Sequence, residues 1–114
     1  MQYNPKELLK EFQNGMKEVS KTNGEEIKTF MNLTGVVHQS KAIDEKNKEL
    51  ISIGISAYIK CEYCITYHIK KAFDLGASKE EVMEAALVST AFGGGAAMAS
   101  VVTLVKDCIE AFAK

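Results

Sequence analysis

Apolar side chains recur at helical spacing along almost the whole chain. The first stripe has intervals of one, three and four residues, which are typical of an amphipathic helix. It begins behind Asn4-Pro5, a capping residue followed by the proline of a first turn, and it ends at Asn23-Gly24. A second helix is predicted from Glu25 towards Thr34. The apolar positions of the first helix are Leu8, Leu9, Phe12, Met16 and Val19, and those that the second should bury are Ile27, Phe30 and Met31.

The middle of the chain has one continuous helical pattern. Asp44 is a candidate N-cap, and the apolar positions behind it cover much of the helix surface, which predicts a central, buried helix. The pattern then runs through two cysteines to Leu75-Gly76, where the glycine suits the residue after a helix C-terminus. The apolar positions before the cysteines are Leu50, Ile51, Ile53, Ile55 and Ile59.

The last third of the chain predicts two more helices. Ser78-Lys79-Glu80-Glu81 has the spacing of a capping box, and a final helix from Ala96 to Phe112 follows Gly93-Gly94-Gly95. No alternating strand pattern interrupts the series. The pattern therefore predicts an all-α protein, a compact bundle of about six helices, in one domain that spans residues 1–114.

Composition and charge argue against two classes of partner. The chain has a formal net charge of −1, and all 14 of its basic residues are lysine. Nucleic-acid-binding proteins carry a concentrated basic face, so no nucleic-acid partner is expected. The stretch from Ala85 to Val105 is uncharged and long enough to cross a bilayer. Because small residues dominate it and glycines divide it, we expect two buried helices and no membrane association.

Three cysteines indicate the chemistry. Cys61, Cys64 and Cys108 form an odd set behind an N-terminus without a signal sequence, which favours a cytoplasmic protein with two working cysteines and one buried cysteine. In a helix, Cys61, Cys64 and His68 would share one face. His68, one turn beyond Cys64, could take the thiol proton, and the thiolate is the nucleophile. The spacing of the cysteines also allows a disulfide that resolves a sulfenic acid.

Other interpretations of these residues stay open at this point. The cysteines could be ordinary core residues, or a redox sensor without turnover. Cys61, Cys64 and His68 could also supply three ligands of a zinc site, with Cys108, His38 or Glu49 as the fourth. His38 is otherwise expected in a surface loop. A thioredoxin-type protein is disfavoured, because that fold needs β-α-β units.

The ordered set of motifs around the cysteines resembles the AhpD-like, alkylhydroperoxidase branch of the carboxymuconolactone decarboxylase superfamily. The similarity covers about half of the chain, from Asp44 to Gly95. It rests on Glu49, the segment Cys61-Glu62-Tyr63-Cys64, His68 and the segment Gly76-Ala77-Ser78-Lys79-Glu80-Glu81.

The resemblance implies a fold and a mechanism. The subunit should be all-helical and form a homotrimer or homohexamer, and the cysteine helix should begin near the pair, after a break. Cys64 should attack a peroxide, Cys61 should resolve the product, and Glu49 and His68 should relay protons. No metal, flavin or other cofactor is expected, only a peroxide substrate and an external dithiol reductant protein.

One position departs from the family pattern. The best-known AhpD proteins have a histidine directly before the second cysteine, whereas this chain has Tyr63, to which we assign a supporting role as a hydrogen-bond donor. The chain could therefore be a slower disulfide reductase. The lactone decarboxylases that name the superfamily generally lack the cysteine pair, so a cofactor-free decarboxylase that uses Glu49 and His68 ranks second among enzymes.

Overall fold

Helix follows helix along the chain in the computed structural model, which describes residues 4–114. Within that range there is no strand, so the predicted all-α class is confirmed. The last three elements form one continuous helical run, Thr90–Phe112. The elements are α1 (Pro5–Val37), α2 (Glu45–Ile59), α3 (Glu62–Asp74), α4 (Lys79–Val88), α5 (Thr90–Ser100), a π-helical segment (Val101–Val105) and α6 (Lys106–Phe112).

The N-terminal third is one helix where two were predicted. Asn4 caps it as expected, because its side chain accepts the backbone N–H groups of Lys6 and Glu7. The predicted break at Asn23-Gly24 is only a kink: Asn23 has non-helical angles (φ −126°, ψ 47°), and the helix continues beyond it to Val37. Asn and Gly are weak helix formers, but neither removes a backbone donor as proline does. α1 therefore consists of two helical halves.

Three of the helix ends predicted later in the chain are confirmed, whereas the final helical run starts at Thr90 and not at Ala96. Asp44 caps α2 by accepting the N–H of Asn47. Ser78 and Glu81 form the reciprocal capping box at the start of α4. Gly76, after the end of α3, has a positive φ of 90°, which glycine adopts without strain.

The core lies where α2, α3, α4 and the C-terminal run meet. Leu8 from the start of α1 closes one side of it. α2 and α4 approach so closely that a Cβ added at Gly54 would lie 3.1 Å from the carbonyl oxygen of Ala85. The most deeply buried apolar side chains include Ile53, Ala57, Ile65, Ile69, Ala72, Val82, Ala86, Val101, Val105 and Cys108.

The burial predicted for two helices is wrong in part. Ile53 of α2 lies in the core, but Ile51, Ile55 and Ile59 of the same helix are more than half exposed. In the second half of α1, the predicted buried residues Phe30 and Met31 are exposed as well. A helix in a small bundle buries one face only. The apolar positions of this chain therefore exceed what its own fold covers.

The C-terminal run Thr90–Phe112 could cross a membrane by length and composition alone, since it has 23 residues and contains an 18-residue stretch with a mean hydropathy of 1.3. One side of it belongs to the core through Val101, Val105 and Cys108. Gly94 (φ 60°, ψ −140°) kinks the run inside α5, where the sequence predicted a division between helices. The chain forms a compact body, which suggests a soluble protein.

A backbone reversal separates α2 from α3 directly before the cysteines. Lys60 adopts the left-handed conformation (φ 58°, ψ 41°), and Cys61 becomes the N-cap of α3. The continuous helix that the pattern predicted here is wrong, and the break that the resemblance implied is confirmed. A lysine gives no sequence signal for this conformation, which costs a non-glycine residue about 1–2 kcal/mol.

We expect Lys60→Val to lower the free energy of unfolding by about 1 kcal/mol or more, because β-branched residues tolerate a positive φ poorly. Lys60→Gly, which relieves the strain, should match the parent protein or exceed its stability. Denaturant titration followed by circular dichroism measures both. An equal loss in the two variants would mean that contacts of the lysine side chain, rather than backbone conformation, determine stability at this position.

Candidate active site

Three helices bring one carboxylate and two imidazoles together. Glu49 of α2 is only 2% exposed. His68 of α3 donates its Nδ1–H to Oε1 of Glu49 at 2.6 Å. His38, the residue that caps the end of α1, places its Nε2 3.8 Å from Oε2 of the same carboxylate. We refer to these three side chains as the histidine–glutamate cluster.

The bond to Glu49 determines which nitrogen of His68 can act as a base. A carboxylate only accepts hydrogen bonds, so Nδ1 of His68 carries the proton. In the neutral ring the lone pair is then on Nε2. When Nε2 takes up a proton, the buried carboxylate provides the counter-charge for the imidazolium. The arrangement is that of a carboxylate-oriented general base.

His38 is the cluster member whose position the sequence analysis missed. It was expected in a surface loop, and as one of several possible zinc ligands, but its side chain is only 17% exposed. Its Nδ1–H donates to the carbonyl oxygen of Thr34 at 2.8 Å, and its Nε2 lies 2.8 Å from Oγ of Ser52. Its ring stacks on that of His68, with centroids 5.7 Å apart. The chain has two histidines in total, and both are here.

The two cysteines lie at the N-terminus of α3 and are joined by a disulfide. Cys61 is the N-cap, and its Sγ accepts the N–H of Cys64 at 3.2 Å. A helix N-terminus stabilises a thiolate through its free N–H groups and its dipole. Cys64 lies within α3, one turn before His68. The predicted shared face therefore applies to Cys64 and His68, while Cys61 precedes the helix.

The disulfide bears on the zinc site that the sequence left open. Zinc binds cysteine as the thiolate, and the sulfurs of Cys61 and Cys64 are bonded to each other in this structure. Two of the proposed fourth ligands, His38 and Glu49, do lie beside His68. The third, Cys108, is buried against Thr66, with its Sγ 3.6 Å from Oγ1 of that residue.

Cys108, the third cysteine, has an unreactive thiol. Burial raises the pKa of its thiol to about 11, so the thiol is protonated and a poor nucleophile at neutral pH. The expectation that the third cysteine is a buried residue is confirmed.

Tyr63 connects the cysteine segment to α1. Its hydroxyl donates a hydrogen bond to the carboxylate of Glu11, and its ring lies 6.4 Å from that of Phe12. Phe12 in turn contacts Tyr67, whose ring meets His68 edge-on at 5.2 Å. The first half of α1 therefore packs along the helix that carries Cys64 and His68.

A groove of about 370 Å³ opens between α1 and Tyr63. One carboxylate lies at its edge, and most of its other side chains are apolar. It could receive the apolar part of a small molecule close to the cysteine segment. Its lining residues are Glu11, Phe12, Gly15, Met16, Val19, Ile27 and Tyr63.

The match to known families covers the whole site. The sequence profile of the carboxymuconolactone decarboxylase family matches residues 25–107, which include the histidine–glutamate cluster and both cysteines of the pair. This chain belongs to the carboxymuconolactone decarboxylase family. Its family membership agrees with the resemblance drawn from the motifs.

The chain is also similar in sequence to an individual protein. It is 37% identical over 70 residues to the "uncharacterized protein 4 in cox locus" of Paracoccus denitrificans, an alignment that covers 61% of this chain and 63% of that protein. The match thus spans less than two thirds of that relative.

Two solved structures of the same family are similar over nearly the whole fold. The apo form of a carboxymuconolactone decarboxylase family protein from Legionella pneumophila aligns with a TM-score of 0.89 at 24% identity, covering 96% of this chain and 97% of that one. A Thermotoga maritima family protein aligns with a TM-score of 0.74 at 28% identity, covering 90% of each chain. The Legionella likeness shows the fold alone.

Proposed function

We propose that this family member is a thiol-dependent peroxidase or disulfide oxidoreductase that works through Cys61 and Cys64. The observation that carries the proposal is the position of the pair: it lies at a helix N-terminus, one turn from a histidine held by a buried carboxylate. Those are the features that favour a thiolate. The Thermotoga relative, described as a candidate for a role in antioxidative response, supports the same direction.

In the proposed first step, the thiolate of Cys64 attacks one oxygen of a hydroperoxide. An S–O bond forms, the O–O bond breaks, and an alkoxide leaves. Nε2 of His68 takes the thiol proton beforehand and returns it to the alkoxide, which departs as an alcohol. Glu49 holds the ring and balances its charge during the transfer. Cys64 is now a sulfenic acid.

In the second step, Cys61 resolves the sulfenic acid. Its thiol loses a proton, the resulting thiolate attacks the sulfur of Cys64, the S–S bond forms, and the S–O bond breaks as the hydroxyl takes up that proton and leaves as water. An external dithiol then reduces the disulfide and becomes a disulfide itself. The N-cap position suits this role, because the N–H of Cys64 already points at Sγ of Cys61. We propose that the reaction takes place in the cytoplasm, where such dithiols are kept reduced.

The assignment of roles is tested with the reduced protein, tert-butyl hydroperoxide and dihydrolipoamide, by following peroxide consumption. Cys64→Ser should reduce the rate to that of the uncatalysed reaction, because the attacking thiolate is gone. Cys61→Ser should accumulate a sulfenic acid that a dimedone probe traps at Cys64. Cys108→Ser is the matched control and should keep the parent rate.

Two results would contradict this scheme. Full activity of Cys64→Ser would remove Cys64 from the first step. The second result combines two observations: the parent protein does not reduce peroxide, and the Cys61→Ser/Cys64→Ser double variant keeps a decarboxylase activity. That result would favour the lactone decarboxylase chemistry of the family instead.

We further propose that the chain forms a homo-oligomer through the exposed face of α2. An apolar groove of about 630 Å³ lies there, between α2, α4 and α5. Phe92 at its edge is 77% exposed, and Ile51 and Ile55 are open to it as well. Contiguous exposed apolar patches on soluble proteins mark interaction surfaces. A second copy, presenting the same face, would cover the side chains that one subunit leaves uncovered.

Phe92→Asp should shift the protein towards the monomer, because it introduces a charge into the proposed contact. Light scattering after size-exclusion chromatography measures the mass. Val102→Asp is the matched control, since Val102 is also exposed but does not line the groove. A monomeric parent protein, or dissociation by Val102→Asp alone, would contradict the proposed interface.

A further inference from the structure

The proposed thiol chemistry employs His68 and Glu49 but gives His38 no task. Both ring nitrogens of His38 nevertheless have partners at the site. Its Nδ1–H is fixed by the carbonyl of Thr34, and its Nε2 is directed at Ser52 and at Oε2 of Glu49. We infer that the histidine–glutamate cluster is a binding site for a divalent cation of the zinc class, with Nε2 of His38, a carboxylate oxygen of Glu49 and Nδ1 of His68 as ligands.

The distances fit such an ion after a small contraction. One ligand atom from each of the three side chains lies within 4.8 Å of the other two. Zinc binds nitrogen and oxygen at about 2.0–2.2 Å, which puts the ligands of a tetrahedral ion roughly 3.3 Å apart. Two histidines and one carboxylate with an open fourth position are a set that zinc and iron(II) both accept.

The surroundings of His38 are those of a metal ligand. Histidines that bind metals usually donate the other ring N–H to a carbonyl or carboxylate, which fixes the tautomer. Thr34 provides that carbonyl at 2.8 Å, so the lone pair of neutral His38 is on Nε2. Ser52 now contacts this nitrogen, but its hydroxyl also lies 2.9 Å from the carbonyl oxygen of Lys48. A metal on Nε2 would therefore leave Ser52 with a hydrogen-bond partner.

The charges of the site also suit a dication. Glu49 supplies a buried negative charge, and the two imidazoles bind as neutral ligands. The nearest lysine on the same helix, Lys48, donates from its Nζ to the carbonyl oxygens of Val37 and Gln39, on either side of His38, at 2.9 and 2.7 Å. The backbone carbonyl groups at the C-terminus of α1 therefore compensate the positive charge of Lys48. The site contains no sulfur, which distinguishes it from the cysteine-based zinc site that the sequence left open.

Metal binding would change the proton on His68. The N–H bond at Nδ1 breaks and an N–metal bond forms there, while water carries the proton to Nε2, so the ring stays neutral and no oxidation state changes. Neutral His68 then carries its proton on Nε2 and cannot accept one from Cys64. A bound dication would thus switch off the thiol. This consequence rests on the proposed function, whereas the binding itself does not.

The binding is tested with the disulfide form of the parent protein, titrated with zinc chloride. Because the chain has two histidines, long-range ¹H–¹⁵N spectra contain two imidazole systems. Both should shift, and both should saturate at one equivalent. If neither shifts at a several-fold excess of zinc, or if His68 responds without His38, the inference is wrong.

Variants separate this site from one made of thiolates. His38→Gln should weaken zinc binding about tenfold or more in calorimetry, while the reduced Cys61→Ser/Cys64→Ser protein should bind as the oxidised parent does. The opposite pattern would overturn the inference. If the parent protein does not reduce peroxide but binds zinc as predicted, the proposed function is wrong and the inferred metal site is unaffected. If the parent protein reduces peroxide, and does so at the same rate when it is saturated with zinc, the predicted inhibition is wrong.

Discussion

The structure depends on the burial of one carboxylate. The side chain of Glu49, on α2, is almost completely buried, and an unpaired charge at that position would cost several kcal/mol. Its two oxygens face His68 and His38, which requires that α3 and the end of α1 approach α2 at one place. A stability requirement and a chemical arrangement therefore coincide: the partners that make the buried charge tolerable are the groups that can hold or move a proton.

The second constraint is the backbone reversal at Lys60. If α2 and α3 were continuous, Cys61 would be an ordinary helical residue, with its sulfur away from any helix end. The left-handed residue ends α2 and turns Cys61 into an N-cap. Both cysteines then lie at the N-terminus of α3, where Sγ of Cys61 accepts the N–H of Cys64, and His68 follows Cys64 by one turn. The same reversal folds α3 back onto α2, which brings His68 to Glu49.

The sequence predicted part of this arrangement and missed the rest for identifiable reasons. Helix caps such as Asp44 and Ser78 are local signals and were read correctly. The pairing of Glu49 with His68 was expected only from the ordered family motifs, because a glutamate on an apolar helix has no pattern of its own. His38 was missed, since its cluster partners Glu49 and His68 are 11 and 30 residues away along the chain. The exposed side of α2 was missed because periodicity identifies apolar faces but not what covers them.

The central claim is that Glu49 acts on the cysteines through His68. The most direct test is the pH dependence of alkylation of Cys64 in the reduced protein, compared between the parent, Glu49→Gln and the surface control Glu80→Gln. The account predicts that Glu49→Gln raises the midpoint of the rate profile by about one pH unit, a change of about 1.4 kcal/mol, while Glu80→Gln leaves it in place. Superimposable profiles for the parent and Glu49→Gln, or a midpoint that falls, would contradict it.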